Sequence, residues 1–193
     1  MKIHGTAKGG ALGKKDFGVA FSSAGGGAPC VEADYDWADC GSDNPLTISD
    51  GGQGAGAWIR NGDLIGAKIK TLTQKMYRHE SASGNMICHQ INSGDTGTIK
   101  STSDIIAISE ISSTSTSYGS ATSITFTFDD PAEIAENDCF IVSSDGSAFK
   151  LWASSGNCDS SDTNVMESDD ASPPSFTEKT TLTARGSAVY CEA

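Results

Sequence analysis

Ile124-Thr125-Phe126-Thr127-Phe128 is the stretch that decides the fold, because apolar and polar side chains alternate strictly along it. A period of two is the pattern of a half-buried β-strand, in which successive side chains point to opposite faces of a sheet. Similar short stretches recur from residue 65 to residue 191, separated by Ser, Thr, Gly and Asp. Strands at this spacing, with turn residues between them, predict an antiparallel β-sandwich.

Further strands are expected on both sides of this stretch. A long strand spans residues 64–78, and its apolar positions change phase near Lys70 and Thr71, which indicates a β-bulge. Residues 139–143 and 149–153 are expected to form a hairpin around the turn between them. The other expected strands lie at residues 57–60, 86–91, 164–167 and 182–190.

The composition suits one good-sized domain with an extension. The chain has 193 residues, of which 37% are hydrophobic, and its net charge is −12. So much negative charge argues against non-specific nucleic-acid binding, which relies on Lys and Arg at phosphates. No apolar run follows the opening Met1-Lys2-Ile3-His4-Gly5, and no apolar stretch reaches the roughly 18 residues that a spanning helix needs. We therefore expect neither a signal peptide nor a transmembrane segment.

Residues 1–29 differ in character from the rest of the chain, because they are Gly-rich and basic. They hold too few apolar residues to form a core of their own, so they are either a disordered tail or an extended arm that docks on another subunit. Residues 30–193 form the sandwich domain, with a loop-rich entry at 30–64 and the sandwich core at 65–193. The residues expected to anchor the arm are Lys8, Lys14, Lys15, Phe17, Val19 and Phe21.

The six cysteines are even in number and contain no C-x-x-C pair, which argues against a zinc site. They are expected to form disulfides, with free buried thiols as the alternative. Six cysteines allow fifteen connectivities, so spacing alone does not decide among them. Three pairings are geometrically natural. Cys30–Cys40 would close a small acidic loop, and Cys139–Cys158 would link the two strands of the expected hairpin. Cys88 and Cys191 then remain, and their bridge would join an early strand to the last one.

No catalytic motif is readable, since neither H-E-x-x-H nor G-x-S-x-G occurs and nothing places the three histidines near a nucleophile. We therefore expect a protein that is not an enzyme. Two binding hypotheses remain, and each has a simpler structural alternative. Asp34, Asp36 and Asp39 are candidate oxygen ligands for a structural calcium ion, or simply solvated acids. The candidate sugar-stacking aromatics are Tyr35, Trp37, Trp58 and Trp152. The alternative for Trp58 and Trp152 is that they are core or interface residues.

The order of features also resembles a known module. Ser113-Thr114-Ser115-Thr116-Ser117-Tyr118 leads into the Ile124–Phe128 strand, and Ile134-Ala135-Glu136-Asn137-Asp138-Cys139-Phe140-Ile141-Val142 follows it. This order resembles the jelly-roll β-sandwich of phage and archaeal virus virion proteins and of surface-anchored extracellular proteins, with Phe140 where Tyr is usual. The resemblance implies a jelly roll and brings no catalytic residues with it.

Together, these features predict a non-enzymatic structural subunit of an extracellular assembly, above all a viral or phage virion. Its partners would be further copies of itself or other virion proteins, reached through the N-terminal arm. The alternative is a carbohydrate-binding or adhesion module that meets host-surface glycans. In either case the expected location is a virion or the extracellular space, and structural calcium is the one candidate cofactor.

Overall fold

The computed structural model describes residues 31–36, 42–48, 54–59, 64–92, 98–146, 149–155, 163–171, 174–179 and 182–192. Within these ranges the chain forms fourteen β-strands and two short 3-10 turns, and no α-helix. The strands are β1 (Glu32–Asp36), β2 (Ser42–Ile48), β3 (Gly54–Ile59), β4 (Lys68–Arg78), β5 (Asn85–Ile91), β6 (Ile99–Thr102), β7 (Ile106–Ala107), β8 (Thr122–Thr127), β9 (Cys139–Ser144), β10 (Phe149–Ser155), β11 (Thr163–Ala171), β12 (Pro174–Lys179), β13 (Leu182–Ala184) and β14 (Ser187–Cys191).

The strands form two antiparallel sheets, which confirms the prediction of an all-β, sandwich-like architecture. Sheet A runs β1-β14-β4-β10-β13, with β8 on the free side of β4 and β2 on the free side of β10. Sheet B runs β12-β11-β3-β9-β5-β6, and β7 continues alongside β5 next to β6. The strand at the centre of sheet A, β4, therefore pairs with three others, β8, β14 and β10.

The main hydrophobic core lies between the two sheets. Sheet A contributes Leu72, Phe126 and Phe149, and sheet B contributes Phe140 and Val142, all of them almost completely buried. The alternation predicted for β8 is confirmed, because Ile124 and Phe126 are buried while Ser123, Thr125 and Thr127 are exposed. Burying one such side chain contributes roughly 1.5–3 kcal/mol, so the inward positions of this core carry much of the stability.

The predicted β-bulge in β4 is confirmed. Thr71 pairs with Val189, but the next partner pair is Ile69 with Tyr190, so Lys70 is the extra residue on β4. The bulge moves Ile69 onto the same face as Leu72, which lets both side chains reach the core. The phase change in the sequence therefore marks the position where the strand bends.

The predicted hairpin of residues 139–153 is wrong. Both strands exist, but β9 belongs to sheet B and β10 to sheet A. Phe140 and Val142 on β9 face the same core as Phe149 and Leu151 on β10. The two strands therefore lie across the core from each other, because each needs an opposing sheet to bury its apolar face.

The entry segment, residues 30–64, is more regular than its composition indicates. It contains β1, β2 and β3, of which only a short version of β3 was expected. Strand β2 carries Pro45 opposite Trp152 of β10, and its other side is unpaired within the described residues. Proline is tolerated on such an edge strand because no ladder hydrogen bond is needed on the outer side.

Candidate interaction surface

Exposed isoleucines mark one edge of sheet B. Ile99 on β6 is 51% exposed, and Ile105, just before β7, is 69% exposed. Half-buried Ile87 on β5 joins Ile105 around a shallow cavity of about 80 Å³. We call these three residues the isoleucine edge. Large apolar side chains on short edge strands are features of surfaces that another chain covers.

A buried polar cluster holds β6 in place behind this edge. Lys100 Nζ donates to Asp138 Oδ2 at 2.5 Å and to the Glu133 carbonyl oxygen at 2.6 Å. Gln90 Nε2 donates to the same carboxylate oxygen at 3.0 Å, and Ser101 Oγ donates to Gln90 Oε1 at 2.9 Å. Charge-assisted hydrogen bonds of this kind fix the geometry of the edge strand, because each donor position is defined.

The turn that follows β9 is tied to the start of β5. The backbone N–H of Asn85 donates to Asp145 Oδ1 at 2.6 Å, and its side-chain amide donates to Oδ2 at 3.1 Å. These hydrogen bonds hold the pKa of the Asp145 carboxyl below its usual range, the backbone bond contributing most. Asp145 and Ile105 both line the shallow cavity, so the hydrogen bonds between Asn85 and Asp145 fix one wall of this cavity at the isoleucine edge.

The face of sheet B that points away from the core is apolar near the same edge. Ile91, Cys139 and Ile141 form a second, smaller buried cluster there. His89 lies on this face, where burial lowers the pKa of its imidazole, and its Nδ1 is 3.2 Å from Thr102 Oγ1. A neutral, hydrogen-bonded imidazole suits an apolar surface, because it carries no uncompensated charge.

The arm anchors predicted from the sequence lie outside the described residues, and their role stays a prediction. This group comprises Lys8, Lys14, Lys15, Phe17, Val19 and Phe21. The isoleucine edge was not identified as an interaction surface from the sequence. Its only signal is that the apolar run beginning at Ile105 puts isoleucine at two successive positions, so one of them must face away from the core.

Two of the three predicted disulfides are wrong. Cys88 and Cys139 are buried free thiols, which excludes the Cys88–Cys191 and Cys139–Cys158 bridges. Cys88 points into the core from β5 of sheet B, whereas Cys191 lies on β14 of sheet A. Cys191 is nevertheless disulfide-bonded. The predicted Cys30–Cys40 bridge lies outside the described residues.

Burial makes both free thiols unreactive. It raises the pKa of Cys88 far above the usual range of a thiol. Burial, together with the neighbouring Asp138 carboxylate, raises the pKa of Cys139 to about 12. Since the thiolate is the nucleophile and the metal ligand, neither residue is available for chemistry in the folded state.

The two candidate sugar-stacking aromatics whose side chains the structure describes, Tyr35 and Trp152, do not share one face. Tyr35 is partly buried against the main core, and its role as a stacking residue stays a prediction. Trp152 does point away from the core, as its phase on β10 predicts, but it is 3% exposed because Tyr77 and Tyr118 cover it. Trp37 and the side chain of Trp58 lie outside the described residues.

The candidate calcium ligands lie on an edge strand. Asp34 and Asp36 are exposed on the same face of β1, and Asp39 lies outside the described residues. In the described part of the chain, no group of three or more His, Cys, Asp or Glu side chains is placed to hold a metal ion. The calcium site therefore stays a prediction.

Comparison with family models, curated proteins and solved structures gives no match to this chain. None of the described residues belongs to a helix long and apolar enough to cross a membrane. The sequence patterns and the isoleucine edge therefore provide the basis for assigning a function.

Proposed function

We propose that this protein is a non-enzymatic structural subunit of an extracellular assembly, such as a virion, and that its sandwich is a jelly roll. The subunit associates with copies of itself or with other virion proteins. The observation that carries this proposal is the isoleucine edge, where Ile99 and Ile105 are more than half exposed. Apolar surface of this kind gains free energy when a neighbour removes it from water.

The N-terminal arm is the segment proposed to meet a neighbour. Its lysines, Lys8, Lys14 and Lys15, are opposite in sign to the net charge of −12 that the whole chain carries. Opposite charges steer the encounter of two subunits and fix their relative orientation. Phe17, Val19 and Phe21 alternate as a strand does, which suits pairing with an exposed sheet edge such as β6.

Deletion of residues 1–21 tests the arm. The intact chain should form tubes, fibres or shells in electron micrographs, and the truncated protein should lose them while keeping the far-ultraviolet circular dichroism of a β-sandwich. Size-exclusion chromatography with light scattering gives the mass of each species. A truncated protein that still assembles like the intact chain refutes the role of the arm.

Single lysine substitutions test the edge on the body of the subunit. Ile99→Lys and Ile105→Lys should each weaken assembly, because a charge would have to be buried in the contact. Ser123→Lys is the matched control, since it adds the same charge at an exposed position on β8, an edge strand of sheet A. Equal assembly of all three variants would show that the isoleucine edge is not an interface.

A further inference from the structure

Aromatic rings and cations form a compact cluster on the face of sheet A that points away from the core. Lys150 on β10 pairs with Tyr77 on β4, and the next outward position on β10 is Trp152, which falls beside Lys75. The rings of Tyr77 and Trp152 lie 5.7 Å apart between centroids, and Lys150 Nζ is 5.8 Å from the Tyr77 centroid. Each aromatic ring thus has a lysine beside it on the same strand and another opposite it on the neighbouring strand.

Tyr118 lies over this pattern from the 3-10 turn Tyr118–Ser120. Its ring is edge-on to Trp152 at 5.8 Å, and Lys75 Nζ and Arg185 Cζ each lie 4.2 Å from its centroid. We define the cation–ring cluster as the residues of β4 and β10, of this turn and of the β13–β14 connection that meet here: Lys75, Tyr77, Tyr118, Lys150, Trp152 and Arg185. Aromatic faces attract cations, so the rings hold the ammonium groups at defined positions.

In the described part of the chain, two of the cations in this cluster lack an acidic counterpart. The ion pairs found there belong to Lys70 and Lys100, and no carboxylate pairs with Lys75 or Lys150. The two lysines are diagonal neighbours on adjacent strands, for which a Cβ separation of roughly 7–8 Å is typical. Unneutralised ammonium groups at this spacing can both donate hydrogen bonds to one anionic group placed between them.

A buried donor in the same cluster also lacks a partner. The indole Nε1 of Trp152 is buried and has no hydrogen-bond acceptor among the residues that the structure describes. An unpaired buried donor is costly, so native proteins keep few of them. The ring of Tyr118, on a surface turn, packs edge-on against this indole.

We infer that the cation–ring cluster binds a sugar that carries a single carboxylate or sulfate group. Lys75 and Lys150 would hold the anionic group. The exposed hydroxyls of Ser117 and Ser120, beside Tyr118, are available to sugar hydroxyls. The net charge of −12 disfavours long polyanions, which the rest of the surface would repel, and so selects an acidic sugar at the end of a neutral chain.

Isothermal titration calorimetry on the full chain provides the test. The probes are 3′-sialyllactose for a carboxylate and lactose 3′-sulfate for a sulfate, with lactose as the neutral analogue. At least one acidic sugar should bind about tenfold or more tightly than lactose, the ratio that one charge-assisted hydrogen bond provides. Binding of neither acidic sugar, tighter binding of heparin, or equal binding of inorganic sulfate alone would overturn the inference.

Variants locate the binding on the cluster. Lys75→Gln and Lys150→Gln should each weaken the acidic sugar by about tenfold and leave lactose unchanged, because only the charge-assisted contact is lost. Lys68→Gln is the matched control, since Lys68 is exposed on the same strand outside the cluster. Unchanged binding in both cluster variants, with native circular dichroism, refutes the site. Binding here is independent of the proposed assembly, so loss of one leaves the other intact.

Discussion

Replacing Lys100 with Met should leave the Asp138 carboxylate buried without its counter-charge. The Asp138 side chain is 1% exposed, and its Oδ2 accepts hydrogen bonds from Lys100 Nζ, Gln90 Nε2 and the Ala135 N–H. Its Oδ1 has no hydrogen-bond partner within the described ranges. The substitution therefore removes the only cation that is paired with this carboxylate among the described residues.

The structure sets the size of the effect. Breaking a buried ion pair by removing one partner costs about 3–5 kcal/mol. Two neutral donors remain on Oδ2, and the Lys100 side chain is 25% exposed, so the low end of that range, about 3 kcal/mol, is expected. Adding Asp138→Asn removes the buried charge, and the double variant should recover about 2 kcal/mol of that loss.

Urea denaturation followed by tryptophan fluorescence measures these differences. With an m-value of about 2 kcal/mol/M, the Lys100→Met midpoint should fall by about 1.5 M, and the double variant should lie between it and the original chain. Lys68→Met serves as the control, because Lys68 is an exposed lysine on β4 and should change stability by less than about 0.5 kcal/mol. A Lys100→Met loss below about 1 kcal/mol, or additive single effects, would refute a coupled buried pair.

Three further predictions concern other parts of the sandwich. Gly56→Ala should prevent native folding or destabilise the chain by several kcal/mol, because a Cβ on Gly56 would lie 1.8 Å from a backbone carbonyl oxygen of β9. Gly119→Ala is the control and should leave stability unchanged, because a Cβ there meets nothing within 4 Å. Thermal denaturation measures both effects. Cys88 and Cys139 should resist alkylation in the native state and react once the chain is unfolded, as read by peptide mass spectrometry; native labelling or a bridge at either residue contradicts their burial. The folded-state pKa of Asp145 is depressed, so its stabilisation is present above the unfolded pKa of about 3.9 and disappears as pH falls through the lower folded value. The Asp145→Asn variant should therefore lose less stability than the original chain as the pH is lowered, as measured by acid unfolding. Identical acid-unfolding curves for the two proteins would argue against this contribution.

The sequence predicts those features of the fold that depend on the order of apolar and polar residues within one strand. The alternation at 124–128 and the phase change near Lys70 each reflect which side chains one strand must bury, and both are found in the structure. Strand β2 was missed because Asn44 and Pro45 are turn residues by composition. Its pairing with β10 overrides that local preference.

Sheet membership was harder to predict than strand position. The apolar/polar alternation of β9 and β10 is the same whether the strands pair as a hairpin or face each other across the core. The hairpin prediction was therefore wrong. The Cys139–Cys158 bridge that depended on it, and the Cys88–Cys191 bridge assigned to the cysteines left over, were wrong with it. The cation–ring cluster was missed for the same reason. Tyr118 and Trp152 are distant in sequence, and only the packing of a surface turn on sheet A brings them together.

The position of β4 at the centre of sheet A has a consequence for folding kinetics. Its partner β14 lies far from it along the chain, with Thr73 paired to Ser187. Pairing between such distant segments is intrinsically slow, because the long intervening chain must first be brought into place. Until β14 adds, one edge of β4 is open, and an open strand edge invites misassembly. Deletion of β14 should therefore yield aggregates in place of a smaller domain.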